Sequence, residues 1–242
     1  KKRTETQVNE VVSHASYLIN LASPKKETEE KSVRALAAEL VRCSKLGIPY
    51  VVLHPGSYLN ADKNAAIKQI ANNIDAVMEN APANVWLLLE NMAGQGSSLG
   101  RNFQELNAIC ENLSTTKQIG FCFDTCHAFA AGYEFHTEET YTKMWEAFNT
   151  YLGLHHLKTI HLNDSLKEQG STVDRHEHIG KGAMGLEPFR LLINDERFFF
   201  IPKLLETPKD TVPDDDIENL KTLYNLLSNH HKEMIAVTFP TM

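Results

Sequence analysis

Residues 28–54 read TEEKSVRALAAELVRCSKLGIPYVVLH, and this stretch decides the fold. Val33, Leu36, Ala37, Leu40, Val41 and Leu46 recur at three-to-four spacing, the stripe of an amphipathic helix. Gly47-Ile48-Pro49 ends that helix, and the β-rich run 49–54 follows at once and finishes on His54, a side chain able to bind metal. The same grammar recurs downstream. Helix 62–80 precedes strand 85–90, helix 101–113 precedes strand 118–123, helix 137–152 precedes strand 157–161, and helix 186–194 precedes strand 200–205, with a last helix over about 214–229. This alternation, unbroken from Val11 to Leu227, predicts parallel strands joined by crossover helices, and 242 residues suit one α/β barrel domain over 1–242.

Six apolar runs each end on a residue that can bind a metal: VVSH on His14, VVLH on His54, VWLLLE on Glu90, GFCFD on Asp124, KTIH on His161 and KLLE on Glu206. The 11 histidines and 31 acidic residues make up about a sixth of the chain, so six ends out of six is a pattern that chance explains poorly. In a TIM (β/α)8 barrel every strand points its carboxyl end at one face, where residues distant in sequence converge on one pocket. The expected fold is therefore a TIM (β/α)8 barrel holding several metal ions. Six strands are two short of closure. The first one or two β/α units are accordingly expected to be absent from this chain.

Composition narrows the class further. Hydrophobic content of 42% and charged content of 23% are ordinary for a globular protein. No apolar run approaches the roughly 20 residues of a membrane span. Four cysteines without a C-x-x-C pair suit a reducing compartment, so a cytoplasmic location, or a nuclear one in a eukaryote, is expected for a monomer. A net charge of −7 argues against a nucleic-acid partner until metals are counted. Three divalent cations would bring the chain close to neutrality and concentrate the positive charge in the pocket.

Loops after the strands add donors. ENMAGQGSSLG after Glu90 is a glycine-rich loop, and DTCHAFAAGY places Asp124 and His127 three apart at a strand-to-helix turn. HLNDS gives His161 two amide or carboxylate neighbours, Asn163 and Asp164, and DRHEHIGKG supplies Asp174 and His176 on one side of an extended segment. Cys122 and Cys126 read as small buried packing residues, and His155, His156, His230 and His231 as surface residues, while His178 stays open. A lone strand-end histidine is more often structural than ligating; the series as a whole is what points to metal.

HASYLINLASP, VLHPGSYL, ENMAGQG, DTCHAFAAGY, HLNDS, DRHEHIGKG and LETP, in this order, resemble the endonuclease IV family of zinc-dependent apurinic/apyrimidinic (AP) endonucleases, a resemblance covering about Val11 to Leu227. It implies a ligand set of His14, His54, Glu90, Asp124, His127, His161, Asp174, His176 and Glu206, none of them substituted. His14 and His54 would hold one zinc, bridged by Glu90 to a second that also takes Asp124, His161 and Glu206; His127, Asp174 and His176 would hold a third. Manganese is an alternative occupant at one site. The resemblance further implies hydrolysis 5′ to an abasic site in double-stranded DNA, leaving a 3′-hydroxyl, and removal of blocked 3′ ends. Glu206 and Glu90 are the catalytic candidates, Glu206 orienting the attacking hydroxide. Tyr17 would act as an aromatic wedge at the pocket rim, and Gln95 and Lys181 as DNA contacts. Family members begin with two further strand and helix units that do not precede Lys1 here.

Two other readings compete. A xylose isomerase-like sugar isomerase shares the barrel and its strand-end metals, but its sites are dominated by carboxylates, whereas five imidazoles against four carboxylates favour zinc. A zinc- or DNA-binding remnant without activity is the third.

Overall fold

The computed structural model describes residues 10–238. They hold eight strands, β1 (Val12–His14), β2 (Tyr50–Leu53), β3 (Trp86–Glu90), β4 (Ile119–Asp124), β5 (Leu157–His161), β6 (Asp164–Ser165), β7 (His176–Glu177) and β8 (Lys203–Leu204). Six of them pair in parallel in the order β1-β2-β3-β4-β5-β8, and β6 and β7 form a small antiparallel hairpin. Helices α1 (Lys26–Leu46), α2 (Lys63–Met78), α3 (Phe103–Glu111), α4 (Thr125–Ala131), α5 (Glu138–Leu152), α6 (Glu187–Ile193), α7 (Asp214–Leu226) and α8 (Asn229–Thr238) complete the chain. Six neighbouring parallel strands backed by helices make up the greater part of a TIM barrel wall. No helix among the described residues is long and apolar enough to cross a membrane.

Local chemistry sets the boundaries. Gly47 closes α1 in the left-handed conformation at φ 69°, where a Cβ would be strained. Asp62 and Asn102 cap α2 and α3 by accepting the N–H of Ala65 and Glu105, and Thr137 with Thr140 builds a capping box on α5. The expected strand 200–205 contracts to Lys203–Leu204, because a 3-10 turn at Glu196–Phe198 and Pro202 come just before it. The expected last helix, 214–229, stops at Leu226, and α8 begins at Asn229.

The principal core lies between sheet and helices. Trp145 is fully buried, with ring centroids 4.7 Å from Phe123 and 4.4 Å from Phe198. The inner face of the sheet carries a second, smaller layer of Val52, Leu88 and Cys122, with Val12, Tyr50 and Trp86 packed beside it. Above that layer, at the carboxyl ends of the strands, the register brings Asp124 opposite His161, after a bulge between Phe121 and Cys122.

Candidate metal centre

All nine donors expected from the sequence meet at this end of the sheet. His14 and His54 each place Nε2 3.1 Å from Glu90 Oε2, and His161 Nδ1 lies 3.0 Å from Glu90 Oε1 and 3.0 Å from Glu206 Oε2. Glu90, at the centre, is wholly buried. Asp124 Oδ2 stands between two histidines, 3.8 Å from His161 Nδ1 and 3.9 Å from His176 Nε2. Asp174 faces the pair beyond, with Oδ2 3.2 Å from His127 Nε2 and Oδ1 3.4 Å from His176 Nε2. The donors fall into overlapping groups of metal-binding size: His14, His54 and Glu90; Glu90, Asp124, His161 and Glu206; Asp124, His127 and His176. Asp174 shares a further group with His176 and Cys126.

The Asp124–His127 spacing has a backbone cause. Asp124 is the N-cap of α4 and its Oδ1 accepts the His127 N–H at 2.7 Å, so the cap and the residue three later face one another. Three histidines donate from Nδ1 to a main-chain carbonyl: His14 to Ala15 at 2.7 Å, His127 to Asn91 at 3.0 Å and His176 to Glu206 at 3.1 Å. That bond fixes the ring orientation and, in the neutral imidazole that metal binding requires, makes Nε2 the lone pair aimed at the pocket. His127 Nε2 and His176 Nε2 are buried and make no hydrogen bond among the described residues. An orphaned buried imidazole nitrogen is costly unless a cation takes its lone pair, and here the nearest neighbours are carboxylates. Metal ions fit this donor set.

The electrostatics agree. Burial pushes the Glu90 carboxyl up, but the charge of His161 and hydrogen bonds from His127, His14 and His161 outweigh it and hold it well below the usual range. Burial pulls His127 down, yet Asp124, Asp174 and Glu90 raise it well above an ordinary histidine. His161 is likewise raised, by Cys122, Glu90 and Glu206 against burial. Asp174 is lowered to about 2 by His127 and His176 despite its burial. Burial pushes the Cys122 and Cys126 thiols up to about 12, in keeping with packing rather than nucleophilic roles.

The pocket, of about 400 Å³, is lined by His14, His54, His127, Asp174, His176 and Glu206, with Tyr17 at its mouth. Tyr17 is 83% exposed and its neighbour Leu18 71%, on a turn where Ile19 N–H bonds the Ser16 carbonyl. Gln95 Oε1 accepts the Asp174 N–H at 3.1 Å, so it braces the metal loop, and Lys181 is paired with Glu218 on the surface. His178 bonds Asn219, and His231, read as a surface residue, is buried at 4% beside Ser228. Sequence reasoning passed over Asn91 and gave Asn163 and Asp164, the polar neighbours of His161, no role of their own; all three are buried and hold candidate donors or loops in place. Asp164 accepts the N–H groups of Ser165, Gly180, Gly182 and Met184, so the GKG loop spends its amides on a carboxylate of the protein itself.

A family model described as the xylose isomerase-like TIM barrel matches residues 1–226. A protein of Geobacter sulfurreducens named probable endonuclease 4 is 46% identical over 221 residues, covering 91% of this chain and 75% of the relative. This chain belongs to the endonuclease IV family. The crystal structure of endonuclease IV from Thermus thermophilus superposes with a TM-score of 0.77 at 33% identity, over 93% of this chain and 78% of the other. A D-tagatose 3-epimerase-like protein matches at TM-score 0.69 but 21% identity, over 97% and 82% of the two chains, and shares the fold alone. Endonuclease IV membership makes the protein a metal-dependent AP endonuclease of DNA repair, and the cluster around Glu90 gathers donors able to hold metal.

Proposed function

We propose that this member of the endonuclease IV family hydrolyses the phosphodiester 5′ to an abasic site in duplex DNA, leaving a 3′-hydroxyl, and clears blocked 3′ ends with the same centre. The observation that carries the reading is the pair of buried, unbonded nitrogens, His127 Nε2 and His176 Nε2, facing acidic oxygens in a cluster that gathers seven other donors. His14, His54 and Glu90 would hold one zinc, Glu90, Asp124, His161 and Glu206 a second, and His127, Asp174 and His176 a third, manganese being an alternative at one of them. When bound, zinc supplies Lewis acidity, making water acidic enough to attack near pH 7 and offsetting the charge of the phosphate.

The chain's own groups do the rest. The Glu206 side chain is 37% exposed at the end of β8, where it orients water against the scissile phosphate. Glu90, sealed from solvent, anchors two of the donor groups at once. Tyr17 presents a free phenol ring over the pocket, placed to fill the gap from which an abasic nucleotide has turned. Lys181 reaches phosphate by leaving Glu218, an exposed ion pair that holds it weakly. A sugar isomerase is the less favoured reading, because five imidazoles against four carboxylates suit zinc better than a hard cation.

The test is a duplex oligonucleotide with a single abasic site, assayed on protein whose metal content is measured in the same sample. Incision on the 5′ side with a 3′-hydroxyl product and about three metals per chain is expected. Protein loaded with metal that leaves the abasic strand intact would overturn the reading.

A further inference from the structure

Asn163 lies at the crossing of the second and third donor groups and is wholly buried. Its amide Nδ2 donates to Asp124 Oδ2 at 2.6 Å, and its Oδ1 accepts the Glu206 N–H at 2.8 Å. Its main chain is clamped as well: the Thr125 hydroxyl accepts the Asn163 N–H at 2.9 Å and donates to the Asn163 carbonyl at 2.7 Å. The Glu206 carbonyl in turn accepts from His176 Nδ1 at 3.1 Å. A single hydrogen-bonded line therefore runs from Asp124 through Asn163 and the Glu206 peptide to His176. Only a side chain with a donor and an acceptor on one carbon can hold both neighbours; a carboxylate lacks the donor and an aliphatic group lacks both.

Asp124 is where this line acts. Its Oδ1 is taken by the His127 N–H at 2.7 Å, and Asn91 pairs with its main chain through two further bonds of 2.8 and 3.0 Å. The one oxygen left to swing is Oδ2, which stands 3.8 Å from His161 Nδ1 and 3.9 Å from His176 Nε2, almost equidistant from the two groups. We propose that Asn163 is a positioning residue that aims Asp124 Oδ2 and locks the Glu206 peptide, so that the second and third metal positions form as a unit. Among the described residues, His14 and His54 have no bond to this line, and the first position shares only Glu90 with the groups it orders.

The inference rests on the three-metal reading above, and the test separates the two. Zinc content and chelator competition are measured on the wild-type protein and on Asn163→Ala, with thermal unfolding of both metal-free proteins alongside. Wild-type protein is expected to hold about three ions. The variant should retain one as tightly as before and hold the other two about 10- to 100-fold more weakly, the size typical of a lost ligand-orienting hydrogen bond, while the metal-free proteins unfold alike. Thr125→Val, which removes only the clamping hydroxyl, should show the same two-of-three pattern at smaller size and covers the case in which Asn163→Ala does not fold. Wild-type protein with fewer than three ions would sink the metal assignment. Three ions held unchanged in Asn163→Ala, or weakened equally at all three positions in either variant, would overturn the role of Asn163 while leaving that assignment standing.

Discussion

Replacing Tyr17 by alanine separates substrate grip from site assembly. The ring is 83% exposed, so its removal takes away almost no packing, and the unfolding free energy should stay within about 0.5 kcal/mol of wild type. The main chain beneath it is secured independently. Ala15 is 3% exposed and its N–H bonds the Val52 carbonyl at 2.8 Å, which holds His14 in register whatever stands at position 17. Nearly all of the ring remains to be covered when DNA arrives. Stacking of one aromatic on a base contributes about 1–3 kcal/mol, which corresponds to an increase of about 5- to 150-fold in Kd for an abasic duplex. Fluorescence anisotropy at one fixed salt concentration, with zinc content measured in parallel, reads this directly. The loss should be larger for the abasic duplex than for an intact one. An unchanged Kd, or a variant that loses zinc, would refute the reasoning and make the tyrosine either idle or structural.

Glu206→Gln should leave the fold intact and lower turnover by about 10²- to 10⁴-fold, measured as single-turnover incision, and normal turnover would remove Glu206 from the chemistry. Trp145→Ala should cost about 3–5 kcal/mol by denaturant unfolding, because a fully buried indole is lost from between Phe123, Phe148 and Phe198. Removing the metals should reverse the pH dependence of stability near neutrality. His14, His127 and His161 are raised above 6.5 in the metal-free protein, so their contribution is complete below the unfolded value and is lost as pH rises through the higher folded values. Metal-loaded protein gains stability over the same interval, since protons then compete less for the imidazoles, and thermal melts with and without chelator at pH 6, 7 and 8 should slope in opposite directions.

The wall of the barrel and the donors at its rim were legible for one physical reason: a parallel strand buried on both faces is a short apolar run, and its end is where chain chemistry changes abruptly. GFCFD followed by TCHAF announced Asp124 and His127 in this way. The residues that orient those ligands announced nothing. Asn163 and Asp164 read in HLNDS only as polar neighbours of His161, and only the fold reveals that one amide spans two strand ends and that one carboxylate gathers four N–H groups. The bulge at Phe121/Cys122, which aligns Asp124 with His161, has no sequence mark either. Gln95 and Lys181, read as DNA contacts from glycine-rich loops, have partners in the protein that no sequence pattern marks: Gln95 accepts the Asp174 N–H and Lys181 pairs with Glu218.

Those engagements explain how an acidic chain can hold its centre ready for cations. A site made of carboxylates and imidazoles alone would rearrange when emptied, since each histidine could turn to meet the nearest acid. Here His14, His127 and His176 are held from behind by the carbonyls of Ala15, Asn91 and Glu206. Two of those carbonyls belong to residues that are themselves fixed, Asn91 by its paired bonds to Asp124 and Glu206 by Asn163. The main chain at the strand ends therefore sets the ring orientations, and the ligands need not be ordered at the moment of binding. That arrangement places the cost of preorganisation in the folded barrel, with its buried aromatic core around Trp145, rather than in the binding step.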